Sequence, residues 1–177
     1  ALVRAVDGVS QPSVALLNIG EEDIKGNEQI KEAAALLKAA PDMNYVGFVE
    51  GNGIFAGEAD VVVCDGFVGN VSLKTMEGVA KMIGNMIREE IGHSWLRKLS
   101  GLLALPVLTG LKKRMDPDRY NGASLVGLRG IVVKSHGGTS EQGFLSALVV
   151  AEVEARRNVP ALISDALAPA ATAGQDH

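Results

Sequence analysis

Three stretches of this chain place glycine and small polar or cationic side chains directly after an apolar run, a pattern by which a backbone turn can hold an anion. The most developed is DVVVCDGFVGN, from Asp60 to Asn70. A β-branched run ends in Asp65, Gly66 and Gly69, and a helical pattern follows from Val71 to Ile91. The first amides of a helix lack internal partners, the macrodipole puts partial positive charge there, and glycine lets a ligand approach the backbone. The second stretch, Asn18 to Asn27, carries Gly20 and Lys25; the third, His136 to Ser140, carries Gly137. If all three follow parallel strands, they share the carboxyl edge of one sheet, where α/β proteins bind ligands. Lys25, Asn27, Asn70, Lys74 and His136 then fall in one neighbourhood suited to phosphate or another small oxyanion.

The elements that must position these residues alternate strand and helix. Val14 to Ile19 is a continuous apolar run of interior-strand character, and Asn44 to Val49 is a second strand. Between them Asn27 is a plausible N-cap for a helix whose Ile30, Ala33, Ala34 and Leu37 share a face and which stops before Pro41. Glycines 51, 53 and 57 imitate a dinucleotide fingerprint but miss its spacing by one residue, and no clear helix opens before Asp60, so a dinucleotide site is rejected. Cys64 reads as a small core residue at the end of its strand. Val79, Met82, Ile83, Met86, Ile87 and Ile91 mark the buried face of the next helix, with Gly92 as its C-cap. Gly130 to Ser135 reads as a further strand; Thr139 with Gln142 fits a capping box for a helix from Glu141 to Arg157, with Phe144, Leu145, Leu148 and Val149 inward. Ala1 to Val6 reads as the last turns of a helix stopped at Asp7-Gly8, the start expected of a fragment with its upstream part missing.

Composition sets limits. The 177 residues, 47% hydrophobic and 21% charged, suffice for one domain with a real core. A net charge of -4 argues against a nucleic-acid-coating surface, where a basic excess supplies most of the affinity. A single cysteine makes no internal disulfide, and no signal peptide or apolar run of about 18 residues is found, so the default location is cytoplasmic. The expected organisation is one α/β domain over 1–168 with a flexible tail at 169–177. Two short helices, broken at Pro106 and Gly110, form an inserted hairpin at about 93–119. Trp95, Leu102, Leu105 and Leu108, flanked by Lys112, Lys113 and Arg114, are expected to contact a membrane surface, a second subunit or an acidic carrier.

The strings LNIGEE from Leu17 with KGNE from Lys25, VVVCDGFVGN followed by Leu73-Lys74-Thr75 and Glu77-Gly78, and Tyr120, Gly122-Ala123 and His136-Gly137 resemble the bacterial PlsX phosphate acyltransferases of phospholipid synthesis. The resemblance runs from about Val14 to Arg157 and covers the C-terminal half of that family's length. It implies transfer of a fatty acyl group from acyl carrier protein to inorganic phosphate, giving acyl phosphate. It also implies a three-layer α/β/α sandwich with a mostly parallel sheet, similar to the isocitrate and isopropylmalate dehydrogenases, and a homodimer peripherally associated with the membrane. A downstream glycerol-phosphate acyltransferase is the further partner it implies. Phosphate is already a nucleophile, so no covalent intermediate, redox cofactor or metal is called for; the protein must position the anion and stabilise the oxyanion that forms. Phosphate is assigned to the amides around Gly66, Gly69 and Asn70, with Lys74 or Lys25 as counter-charge. Asn18, Gly20, Asn27, Asp65, Gly137 and Ser140 complete the candidate substrate site. His136 is the candidate for the proton at the leaving thiolate, a structural cap being its other reading. Two alternatives stand beside this: a phosphotransacetylase-like enzyme using acyl-CoA, and an inactive dimerisation or docking fragment.

Overall fold

In a computed structural model, which describes residues 1–173, the elements run α1 (Leu2–Val6), β1 (Val14–Leu17), α2 (Glu28–Ala39), β2 (Tyr45–Val49), α3 (Gly53–Ala56), β3 (Val61–Val63), α4 (Gly66–Gly92) and α5 (Trp95–Arg114). A 3-10 turn (Pro117–Tyr120), β4 (Ala123–Ser124), β5 (Val133–Lys134), α6 (Glu141–Arg157) and α7 (Val159–Ala173) follow. The fold is α/β, with a small parallel sheet and mostly helices. These residues form two compact units where one domain is expected: 11–106, and 1–10 together with the chain from 107 onward.

The first unit holds a three-stranded parallel sheet in the order β2-β1-β3, with Leu16 opposite Phe48 on one side and Val63 on the other. Leu16, Ala34 and Phe48 are its buried core, and Ile30, Ala33, Leu37 and Tyr45 pack against them. The expected face of α2 is therefore the face it buries. Burying a Leu or Phe side chain stabilises by about 1.5–3 kcal/mol, so this small cluster is what fastens α2 to the sheet. Asn27 caps α2, its side chain accepting from the Ile30 amide at 3.0 Å. At the amino edge of the sheet Asp60 takes hydrogen bonds from the Ser13 amide and hydroxyl, both 2.7 Å, and the Asp60 amide donates back to that hydroxyl at 2.9 Å. This reciprocal clamp sets β1 and β3 in register.

Several expectations for this unit are corrected. A helical turn, α3, does open at Gly53. The helix after β3 starts at Gly66 rather than Val71, and its C-cap is His93 rather than Gly92. Val79, Met82, Ile83 and Met86 of α4 are exposed, as is Cys64. Periodicity marks an apolar face without saying what covers it. The expected pair of short helices is one continuous helix, α5, with Pro106 inside it. Proline removes a single amide donor, and the flanking turns carry the helix through. Near its start α5 packs closely on the end of α4: a Cβ on buried Gly101 would lie 2.6 Å from Ile91 Cγ2.

In the second unit β4 and β5 pair antiparallel, Ala123 opposite Lys134 and Ser124 opposite Val133. The strand expected over Gly130–Ser135 contracts to two residues in this ribbon, so the His136 loop does not follow a strand of the parallel sheet. The bounds of α6 are as expected, but Ser140, not Thr139, is its N-cap, accepting from the Gly143 amide at 3.3 Å. Its buried stripe is Gly143, Ala147 and Glu154, while Phe144, Leu145, Leu148 and Val149 are exposed. Small residues line that stripe because backbone approaches it closely: a Cβ on Gly122, itself at φ +119, would lie 3.0 Å from Ala147 Cα. Glu154 accepts a short hydrogen bond from the Ser124 hydroxyl. The segment expected to be a flexible tail is helical to Ala173, as α7, and residues 174–177 lie outside the described residues.

Candidate functional site

The chain leaves β1 for β2 on one side and then crosses back to place β3 on the other, so the strand order reverses at β1. Loops leaving the carboxyl ends of β1 and β3 diverge at such a point and open a crevice, the position at which open α/β sheets bind ligands. Of the expected site residues, Asn18, Gly20, Lys25 and Asn27 lie on the first of these loops. Asp65, Gly66, Gly69, Asn70 and Lys74 lie on the second or in the opening turns of α4. Two of the three expected junctions thus share one edge.

The loop after β1 is built around Asn18. This residue is 6% exposed; its amide Nδ2 donates to the Lys25 carbonyl at 3.4 Å, and its Oδ1 is buried with no hydrogen-bond partner. Gly26, at φ +86, lies against that oxygen, and a Cβ there would come within 2.5 Å of it. Gly20 is buried beneath Lys25, where a Cβ would meet Lys25 Cγ at 3.1 Å. Gly26, at positive φ against a buried side chain, is therefore a steric requirement of the loop that presents Lys25, whereas the neighbours of Gly20 are the flexible Glu22 and Lys25 side chains. The Lys25 ammonium is 3.8 Å from Glu22, an open surface pair of little energetic weight.

The second loop departs from the anion cradle expected of it. Asp65 caps α4, its carboxylate accepting from the Phe67 and Val68 amides at 2.8 and 3.0 Å. The Gly69 amide donates to the Asp65 carbonyl at 3.0 Å within the helix. An acidic cap already complements the helix dipole, so the amides at Gly69 and Asn70 belong to the helix rather than to a ligand. Asn70 is exposed in the first turns of α4. Gly69 instead permits close packing, since a Cβ there would sit 3.0 Å from Cys64 Sγ. Lys74 is held by both Glu77 oxygens at 3.0 and 3.1 Å, so Lys25 is the more available cation.

His136, Gly137 and Ser140 belong to the second unit. The His136 amide donates to Asn121 Oδ1 at 2.9 Å, and the Gly138 amide donates to His136 Nδ1 at 3.2 Å. Ser140 is engaged twice, donating to Asp118 Oδ2 at 2.5 Å while capping α6, which removes it as a simple anion ligand. Thr139 donates to the other oxygen of Asp118 at 2.7 Å. These hydroxyls, Ser140 first, hold the Asp118 carboxyl below the usual carboxylate range. Sequence reasoning missed Asp118 and Asn121. Asp118 and Asn121, just ahead of Gly122, signal a turn, and nothing local shows that they reach the loop after β5.

A parallel sheet whose order reverses at β1, with Lys25 on the loop after β1 and Asn70 in the first turns of the helix after β3, defines an α/β protein. The chain belongs to the family described as fatty acid synthesis protein, which it matches over residues 1–162. It is 83% identical over 167 residues to a phosphate acyltransferase of Alcanivorax borkumensis, covering 94% of this chain and 49% of that protein. It is 58% identical over 164 residues to the phosphate acyltransferase of Alkalilimnicola ehrlichii, and 53% over 165 residues to that of Legionella pneumophila strain Corby; each covers 93% of this chain and 48% of the relative. The chain thus spans about half the length of the curated relatives it matches.

Proposed function

We propose that the whole protein is a phosphate acyltransferase, moving a fatty acyl group from acyl carrier protein to inorganic phosphate to give acyl phosphate for phospholipid synthesis. The observation that carries this reading is Lys25, on the loop after β1 at the strand-order reversal, with Asn70 in the first turns of the helix that follows the adjacent strand. A cation and an amide donor at such a crevice suit phosphate, and the names of the relatives supply the acyl transfer. A phosphate oxygen attacks the thioester carbonyl, the new C–O bond forms and the C–S bond breaks. The departing thiolate takes up a proton, which His136 is proposed to supply. Positioning and charge stabilisation are the protein's contribution, worth several orders of magnitude without any covalent enzyme intermediate. The resemblance further supports the dehydrogenase-like three-layer sandwich, the homodimer, peripheral attachment at the cytoplasmic membrane face, and delivery of product to a glycerol-phosphate acyltransferase.

In the intact protein, Lys25→Met should lower kcat/KM for phosphate by about 100-fold, the scale of losing a charge-assisted contact to an anion. Lys74→Met should change it less than about threefold, because Lys74 is already neutralised by Glu77. The readout is acyl phosphate formed from acyl carrier protein thioester. If Lys25→Met leaves phosphate dependence intact while Lys74→Met abolishes it, the site lies along α4 and not at the strand-order reversal.

A further inference from the structure

In the second unit the Asn121 side chain is held by four hydrogen bonds. It is 9% exposed, and its side chain joins the start of the loop after β5 to the first turn of α6. Its Nδ2 donates to Ser135 Oγ and the Gly143 carbonyl, each at 2.8 Å, and more weakly to Thr139 Oγ1 at 3.3 Å, while its Oδ1 accepts from the His136 amide at 2.9 Å. The orientation of this amide follows from its partners, since a carbonyl can only accept and a backbone amide can only donate. Within the loop so gripped, the Thr139 amide closes a turn onto the His136 carbonyl at 3.2 Å, and the Gly138 amide points at His136 Nδ1 at 3.2 Å. An amide aimed at Nδ1 requires a lone pair there, which places the proton of the neutral imidazole on Nε2, the outer nitrogen of an exposed ring.

We infer that Asn121 is a positioning residue for His136: by holding the His136–Ser140 turn it keeps the Gly138 amide on Nδ1, and so presents a proton on Nε2. The inference rests on His136 handling the proton of acyl transfer. Asp118 assists from the far side of the turn by fixing Thr139 and Ser140, but it has no hydrogen bond to His136 itself.

The test uses the intact protein with 15N-labelled imidazoles, His136 being assigned by the signal lost in His136→Gln. In mildly alkaline buffer, the long-range 1H–15N spectrum should show His136 as a single tautomer protonated at Nε2. Asn121→Ala should move both ring shifts toward a tautomer average and lower kcat about tenfold, with KM for phosphate within about twofold. Asn121→Asp retains an acceptor for the His136 amide and should restore part of both. If the alanine variant does not fold, Asn121→Ser is read in its place; it fits the space but cannot span His136 and Gly143 together. An unchanged tautomer with unchanged kcat in a folded variant overturns the inference. A shifted tautomer in Asn121→Ala, with kcat unaffected even by His136→Gln, supports the positioning and overturns the proton-transfer reading beneath it.

Discussion

Asp60 and Asp118 do related work in the two units, and both couple the fold to pH. Each carboxylate accepts hydrogen bonds from a serine or threonine hydroxyl and a backbone amide, and each is held below its ordinary value, Asp60 chiefly by the Ser13 amide. A depressed carboxyl binds fewer protons in the folded state than in the unfolded chain. Its stabilisation is therefore complete above the unfolded value near about 4 and is lost as pH falls through the lower folded value. The melting temperature should accordingly decline as pH drops from about 5 toward 3. Asp60→Asn should melt lower than the parent at neutral pH, because the charge-assisted bonds to Ser13 are weakened, and should lose less on acidification. Parallel pH curves for the two proteins would show that the Ser13 clamp contributes nothing to acid sensitivity. At this scale the sequence was a good guide to residue type and a poor one to engagement: Lys25, Asn27 and Asp65 stand at loop or cap positions as their types predict. The i,i+3 spacing of Lys74 and Glu77 permits their pairing, but whether the two side chains meet depends on their rotamers.

At the scale of elements, an apolar pattern gives a helix's type and face but not how closely its neighbours approach. Helix α2 was readable down to its cap and its face, because Leu16 and Phe48 of the sheet lie beneath it. Helix α4 shows an equally regular apolar pattern but buries none of its residues, and α6 buries Gly143 and Ala147 where its large side chains would be expected. In α6, close backbone approach overrides hydrophobic bulk, a preference that a polarity pattern cannot express. Gly69 is a related case with a direct test. Its place beside a ligand turn suggests room for an anion, whereas its missing Cβ accommodates Cys64 Sγ at 3.0 Å. Gly69→Val should cost about 1 kcal/mol by denaturant unfolding, a crowding penalty exceeding the helix propensity it gains, and a Cys64→Ala background should erase the loss. Gly66→Ala, where a Cβ meets open space, should be tolerated. A Gly69→Val protein of normal stability but lost phosphate affinity would return that glycine to the anion site.

At the scale of the whole molecule, the exposed apolar surface of α5 is the feature that water alone cannot account for. Trp95, Leu96, Leu99, Leu102, Leu103 and Val107 are each at least half exposed along this helix, whose last turn carries Lys112, Lys113 and Arg114. No helix among the described residues is long and apolar enough to cross a membrane, so a lipid-facing role for α5 means lying at the interface. Twenty residues at about 1.5 Å each make an element near 30 Å long, enough to set its aromatic and leucine-rich part among acyl chains and its cationic end among headgroups. Anionic lipid adds about 1 kcal/mol for each lysine or arginine near the surface. The helix geometry also changes which residues should meet the lipid. Leu99, Leu102, Leu103 and Val107 share one broad arc, whereas Leu108 is half-buried and lies on another side of the helix. Leu102→Glu with Leu103→Glu should therefore abolish flotation of the intact protein with phosphatidylglycerol vesicles, while Leu108→Glu should chiefly lower stability. Light scattering on the double variant separates lipid from protein contact. A preserved oligomer that no longer floats assigns the arc to the membrane, and dissociation into monomers assigns it to the subunit interface instead.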